Sequence, residues 1–229
     1  MNEQKFDTVL AVDTSTNILR LALQFGGDRL VKWSGEVEKS HGQILLKKIG
    51  DLMESAGVNS ADLDGFVVCI GPGSFTGLRI GLAAVKGMVM AVDRPVAAVT
   101  SFELAAARLA EIETAVAVVI PLNRDEGIVG VVDGGRCDRE SVAVLRYDRL
   151  FDTIGSGAVA GLGLDLAERF PAMPNKDYTD RLDYDAADLL HLGREKLLAG
   201  RAADIARLEP LYLQKSQAEI RFEERRTES

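Results

Sequence analysis

The chain has 229 residues and 27 Lys and Arg against 35 Asp and Glu, a net charge of −8 at pH 7. At 47% hydrophobic and only 6% aromatic, it is not a disordered, collagenous or disulfide-dense secreted chain, and it suits one or two domains with aliphatic cores. The acidic balance argues against gripping nucleic acid alone, because such binders carry a basic excess.

The pattern predicts a strand over Thr8 to Val12 that ends at Asp13, and the turn-forming run Asp13-Thr14-Ser15-Thr16-Asn17 follows it. Residues 18–23 and 30–34, separated by Gly26-Gly27-Asp28, complete a three-strand antiparallel meander. Ser40 and Gln43 form a capping-box pattern for a helix whose apolar positions run through Leu45, Ile49 and Leu52 to a stop at Gly57. The continuous run Gly65 to Ile70 reads as a strand buried on both faces. Next comes Gly71-Pro72-Gly73-Ser74-Phe75-Thr76-Gly77-Leu78-Arg79-Ile80-Gly81, a glycine-rich loop leading into a helix that runs to about Val92. Gly77, Gly81, Ala84 and Met88 fall on one stripe of that helix, and Leu78, Leu82, Val85, Val89 and Val92 fill the rest. A helix apolar nearly all round is buried on more than one side, either within its own domain or against a partner. The segment Leu78 to Val92 is too short for a membrane span and contains Arg79 and Lys86. With no apolar stretch in the first seven residues, a soluble cytoplasmic protein is expected.

A further strand is expected over 96–100 and a helix around 103–112. The second half then repeats the meander weakly in strands at 115–120, 127–132 and 141–146. A helix follows the glycines 155–163, another spans 185–199, an extended segment covers 208–213, and 217–229 is a charged tail. Three antiparallel strands extended by parallel strands through helices give the ribonuclease-H-like pattern. The expected fold class is therefore α/β with two such lobes, divided as residues 1–105, 106–209 and a C-terminal segment 210–229.

Few residues offer chemistry. The two histidines, His41 and His191, form no HxxxH or HExxH pair, so no metal site and no catalytic set is expected. Ser74 is not in a GxSxG elbow, and the loop lacks the Lys of a Walker A motif. Cys69 and Cys137 read as a buried and a surface thiol. A phosphate could still meet the helix start at Thr76 and Gly77, with Arg79 one turn in, while Asp13, Thr14 and Ser15 suit a magnesium–phosphate contact. The alternative for both is structural: a tight strand-to-helix joint and an ordinary turn. The matching place in the second half reads Pro121-Leu122-Asn123-Arg124, with Asn where a phosphotransferase would want a second acid.

Leu10 to Thr16, Ser40-His41 at a helix start, the eleven-residue glycine loop and Pro210-Leu211-Tyr212-Leu213 together resemble the TsaB (YeaZ) family. The resemblance implies two ribonuclease-H-like lobes of the actin-like ATPase superfamily, in a non-catalytic paralogue of TsaD from the group once labelled M22 glycoproteases. It implies partnership with a catalytic TsaD-like subunit and a TsaE-like ATPase, in a complex that transfers a threonylcarbamoyl group to N6 of the adenosine beside the tRNA anticodon. The chain would meet tRNA only through that complex, would form a homodimer when the partner is absent, and would need no membrane. It would hold no cofactor tightly, leaving ATP or ADP with Mg at or near the partner interface. The family's contact through the first two helices maps here onto His41, Leu45, Ile49, Leu52, Gly77, Gly81, Ala84, Val85 and Met88. The chain departs from the family's Asp-Ala-Arg motif at Leu122-Asn123-Arg124. The alternative function is a stand-alone kinase or ATPase of the same fold, working through Asp13 and the glycine loop; nothing in the residues supports a protease.

Overall fold

A computed structural model describes residues 6–37, 41–171, 173 and 176–212. Ser40, the expected cap of the first helix, Pro174, Leu213 and the tail 217–229 lie outside the described residues, as do the side chains of His41 and Gln43.

Strands β1 (Val9–Asp13), β2 (Ile18–Phe25) and β3 (Arg29–Glu36) form the expected antiparallel meander. Helix α1 (His41–Ala56) carries the chain to β4 (Gly65–Cys69), parallel to β1, and α2 (Phe75–Val92) carries it to β5 (Val96–Val99), parallel to β4. The resulting sheet has the order β3-β2-β1-β4-β5. Helix α3 (Ser101–Arg108), with Thr100 and Glu103 as a reciprocal capping box, begins the second half.

The second sheet contains β6 (Val116–Pro121), β7 (Glu126–Asp133), β8 (Arg136–Cys137), β9 (Ala143–Arg146) and β10 (Ala158–Gly161). Its order is β10-β6-β7-β8, with β9 also on β7. The pair β6–β7 is antiparallel and β6–β10 parallel, as β1–β2 and β1–β4 are in the first sheet. The weak repeat read from the sequence is therefore a repeat of topology. Its helices have shrunk: α4 (Leu150–Ile154) and α5 (Leu166–Arg169) have five and four residues, where α1 and α2 have 16 and 18. The strand β10 was not expected, because its residues Ala-Val-Ala-Gly carry little strand signal. Residues 208–212 form no strand; Leu211 N–H donates one backbone bond to Ile70 O at 2.8 Å.

Helix α6 (Ala186–Leu198) is the last helix among the described residues and lies against the first sheet, on β1, β4 and β5. It comes so close that a Cβ on Gly193 would sit 2.1 Å from Val67 Cγ1. The expected boundary between lobes thus divides the chain but not the packing. Helix α3 spans residue 105, and α6 returns from the second half to the first sheet. Together α3 and α6 fill the layer between the two sheets, where Val9, Ala11, Val67, Ala97, Val118 and Ala160 face inward in one core. The alternate residues of β1, Leu10 and Val12, face a second core under α1 and α2. The far face of the second sheet has its own small core under α4 and α5.

Candidate functional site

The first strand delivers Asp13 to the centre of the molecule, where it is fully buried. A buried carboxylate is costly unless every oxygen is engaged, and this one is. Asp13 Oδ1 accepts from Ser15 N–H at 2.8 Å, which closes the Asp-Thr-Ser turn. Tyr184, 171 positions away, donates its hydroxyl to Oδ2. Arg20, opposite Asp13 on β2, places Nη1 3.7 Å from Oδ2 and donates to Thr16 Oγ1 at 2.9 Å. The Arg20 guanidinium also lies over the Tyr184 ring, 4.3 Å from its centroid. Burial, and then the Asp13 charge, push the Tyr184 hydroxyl well above the ordinary tyrosine range, so the tyrosine stays neutral and donates. Burial and the same carboxylate push the Cys69 thiol up to about 12. Cys69 is an inert core thiol, as expected, whereas Cys137 is half-buried.

The glycine loop rests on this turn. Ser74 N–H donates to Ser15 O at 2.7 Å. A Cβ on Gly73 would lie 2.2 Å from Ser15 O, one on Gly77 2.1 Å from Thr14 O, and one on Gly81 2.2 Å from Thr14 Oγ1. The glycines are there so that the backbone of α2 can touch the backbone of the turn. One donor at the start of α2 is also taken, because Ser74 Oγ accepts from Gly77 N–H at 3.2 Å.

The tentative phosphate set therefore does not assemble. Asp13, Thr14 and Ser15 are buried under Gly77, whereas Thr76 and Arg79 are exposed on the outside of α2. Arg79 lies over the Phe75 ring, which pairs with Tyr212 at 4.7 Å between centroids. Both Asp13 oxygens already accept hydrogen bonds within the chain, Oδ1 from Ser15 N–H and Oδ2 from the Tyr184 hydroxyl, so neither is left free for magnesium, while Thr14 Oγ1 and Ser15 Oγ are buried without a hydrogen-bond partner. The second lobe offers no replacement. Asn123 Oδ1 caps its own turn by accepting from the N–H groups of Asp125 and Glu126 at 2.8 and 2.9 Å. His191 is exposed, 3.5 Å from Glu195. Among the described residues, no group of three or more His, Cys, Asp or Glu could hold a metal ion.

Of the residues mapped to a partner interface, His41 has its side chain outside the described residues, and the others divide in two. Leu45, Ile49, Leu52, Gly77, Gly81 and Val85 are buried inside the chain, so they cannot meet a partner and belong to its core. Ala84 and Met88 are half-buried and line an open groove of about 350 Å³ with Leu46, Ala83, Gly87 and Ala91. Leu46 and Met90 stand out at 58% and 88% exposed. Residues 83, 87, 90 and 91 follow i, i+4, i+7, i+8 spacing, so this outer stripe was present in the sequence; an all-round apolar helix hides which stripe faces out. Among the described residues, α2 is also the one helix long and apolar enough to cross a membrane, by length and composition. Its inner face is committed to the sheet and to the Asp13 turn.

Comparison with known proteins places the chain in a family. Residues 35–155 match the family model described as "TsaD: tRNA N6-adenosine threonylcarbamoyltransferase". The structure of YeaZ from Pseudomonas aeruginosa is 32% identical, with a TM-score of 0.71, covering 90% of this chain and 99% of that one. The chain belongs to the TsaB (YeaZ) family. The tRNA threonylcarbamoyladenosine biosynthesis protein TsaB of Bacillus subtilis is 27% identical over 227 residues, 94% of this chain and 97% of that protein. A Bacteroides thetaiotaomicron protein described as having an actin-like ATPase fold, at 7% identity and a TM-score of 0.50, shares the fold alone. In this chain Asp13 is a buried, hydrogen-bonded group of the first lobe.

Proposed function

We propose that this chain is a non-catalytic docking subunit in tRNA threonylcarbamoyladenosine biosynthesis. It would seat a TsaD-like catalytic subunit on the outer face of α1 and α2. The family assignment supplies the pathway, and one contrast on α2 carries the rest. The helix's inner glycines pack it onto the buried Asp13 turn, while its outer face leaves Ala83, Gly87 and Met90 uncovered beside Leu46 of α1. A subunit that works by docking needs the second and can dispense with a reactive Asp13.

In that role a TsaE-like ATPase and the tRNA would contact the assembled complex, in the compartment that holds the tRNA. Any ATP or ADP with Mg would lie at or near the partner interface, not at Asp13. An uncovered apolar stripe of this kind would also suit a homodimer when the partner is absent.

The test is reconstitution with a TsaD-like partner. Met90→Asp places a charge on the most exposed part of the stripe, and loss of both the complex and the tRNA modification is expected, with an unchanged melting temperature. Tight Mg-ATP binding by the purified single chain, abolished by Asp13→Ala in a variant that still folds, would instead favour an independent nucleotide enzyme.

A further inference from the structure

A cavity of about 720 Å³ lies between α3, α6 and the β7–β8 hairpin, and it shares no residue with the Asp13 cluster or the outer face of α2. Its size falls in the range of small-molecule sites, which gather where lobes meet. The floor is apolar, with Phe102 on α3, Leu192 on α6, Ile70 past β4 and Leu211. One wall carries a satisfied ion pair. Lys196 Nζ donates to Glu103 Oε1 at 2.6 Å and to Ala98 O at 2.7 Å, so its charge is spent within the fold.

Two other cations are not spent. Arg136, on the hairpin of the second sheet, and Arg201, just past α6, both line the cavity and are exposed. Neither has an ion-pair partner among the described residues. The lining also carries Glu195, whose carboxylate lies 3.5 Å from His191, so the cavity's side chains still sum to one net positive charge in a chain of net charge −8. Guanidinium forks match carboxylate, sulfonate and phosphate oxygens.

We propose that this inter-lobe cavity binds an amphipathic organic anion, with an apolar ring-sized body against Phe102, Leu192 and Leu211 and an anionic group at Arg136 and Arg201. The apolar body supplies burial, and the two arginines select the charge.

The test uses the full chain and two fluorescent probes, 8-anilinonaphthalene-1-sulfonate and N-phenyl-1-naphthylamine, which has the same rings without the sulfonate. The sulfonate probe is expected to bind at a single site, at least about tenfold more tightly than the neutral one at low salt. Arg136→Glu combined with Arg201→Glu, both on the surface, is expected to weaken it by about tenfold or more and leave the neutral probe unchanged. Ala107→Trp, at an exposed position lining the cavity, is expected to abolish binding of both. Equal binding of the two probes, or an unchanged sulfonate affinity in the folded double variant, would overturn the proposal.

Discussion

The two faces of α2 carry the same kind of residue to opposite ends. On the inner face, Gly77 and Gly81 leave no room for a Cβ, because the Thr14 backbone and hydroxyl stand where it would go. On the outer face, a Cβ on Gly87 meets nothing within 4 Å. Small residues on a helix are thus not a property with one meaning. Inside, they let two backbones touch and seal a carboxylate; outside, they leave a shallow apolar groove between α1 and α2.

The strongest way to break this contrast is at the sealed cluster. Asp13→Ala leaves Arg20 buried against Tyr184 without its counter-charge, and it should cost about 3–5 kcal/mol, read by denaturant unfolding. Tyr184→Phe removes only the donor and should cost about 1–3 kcal/mol. If Asp13→Ala were as stable as the parent, the carboxylate would not be a structural group.

The two glycine positions sharpen the contrast directly. Gly77→Ala should destabilise by about 1–3 kcal/mol, because the new methyl meets a backbone oxygen that cannot move aside. Gly87→Ala should be neutral or stabilising, by up to about 1 kcal/mol, since alanine is the better helix former and has room. Thermal melts should therefore fall for Gly77→Ala and hold or rise for Gly87→Ala.

A smaller effect concerns pH. Burial pulls the Glu103 carboxyl upward, but its bonds from Lys196 and Thr100 outweigh this and leave it below the usual glutamate range. A folded-state value below the unfolded one means that its stabilising contribution is present above the unfolded pKa and fades as pH falls through the folded one. Glu103→Gln should flatten that part of the acid-side stability profile relative to the parent. A profile that stayed parallel to the parent's would show that the pair contributes nothing.

Much of the frame was legible in the sequence. Alternation and turn residues marked β1 to β3, the apolar run marked β4, and the glycine loop marked the start of α2. Three things were not legible, each for a physical reason. Periodicity cannot orient a helix that is apolar all round, so it does not tell the stripe that forms the core from the stripe left exposed. The seal on Asp13 depends on Tyr184, brought from 171 positions away by α6 packing on the first sheet, and no local pattern encodes that contact. The second lobe's strand Ala158–Gly161 is too short and too rich in small residues to announce itself.

The most direct measurement of the central claim is the affinity of a TsaD-like partner for the Met90→Asp chain. Docking through the outer face of α2 predicts that binding falls by about a hundredfold or more, about 3 kcal/mol, with no change in melting temperature. Unchanged affinity in the folded variant would contradict it and move the working surface elsewhere on the molecule.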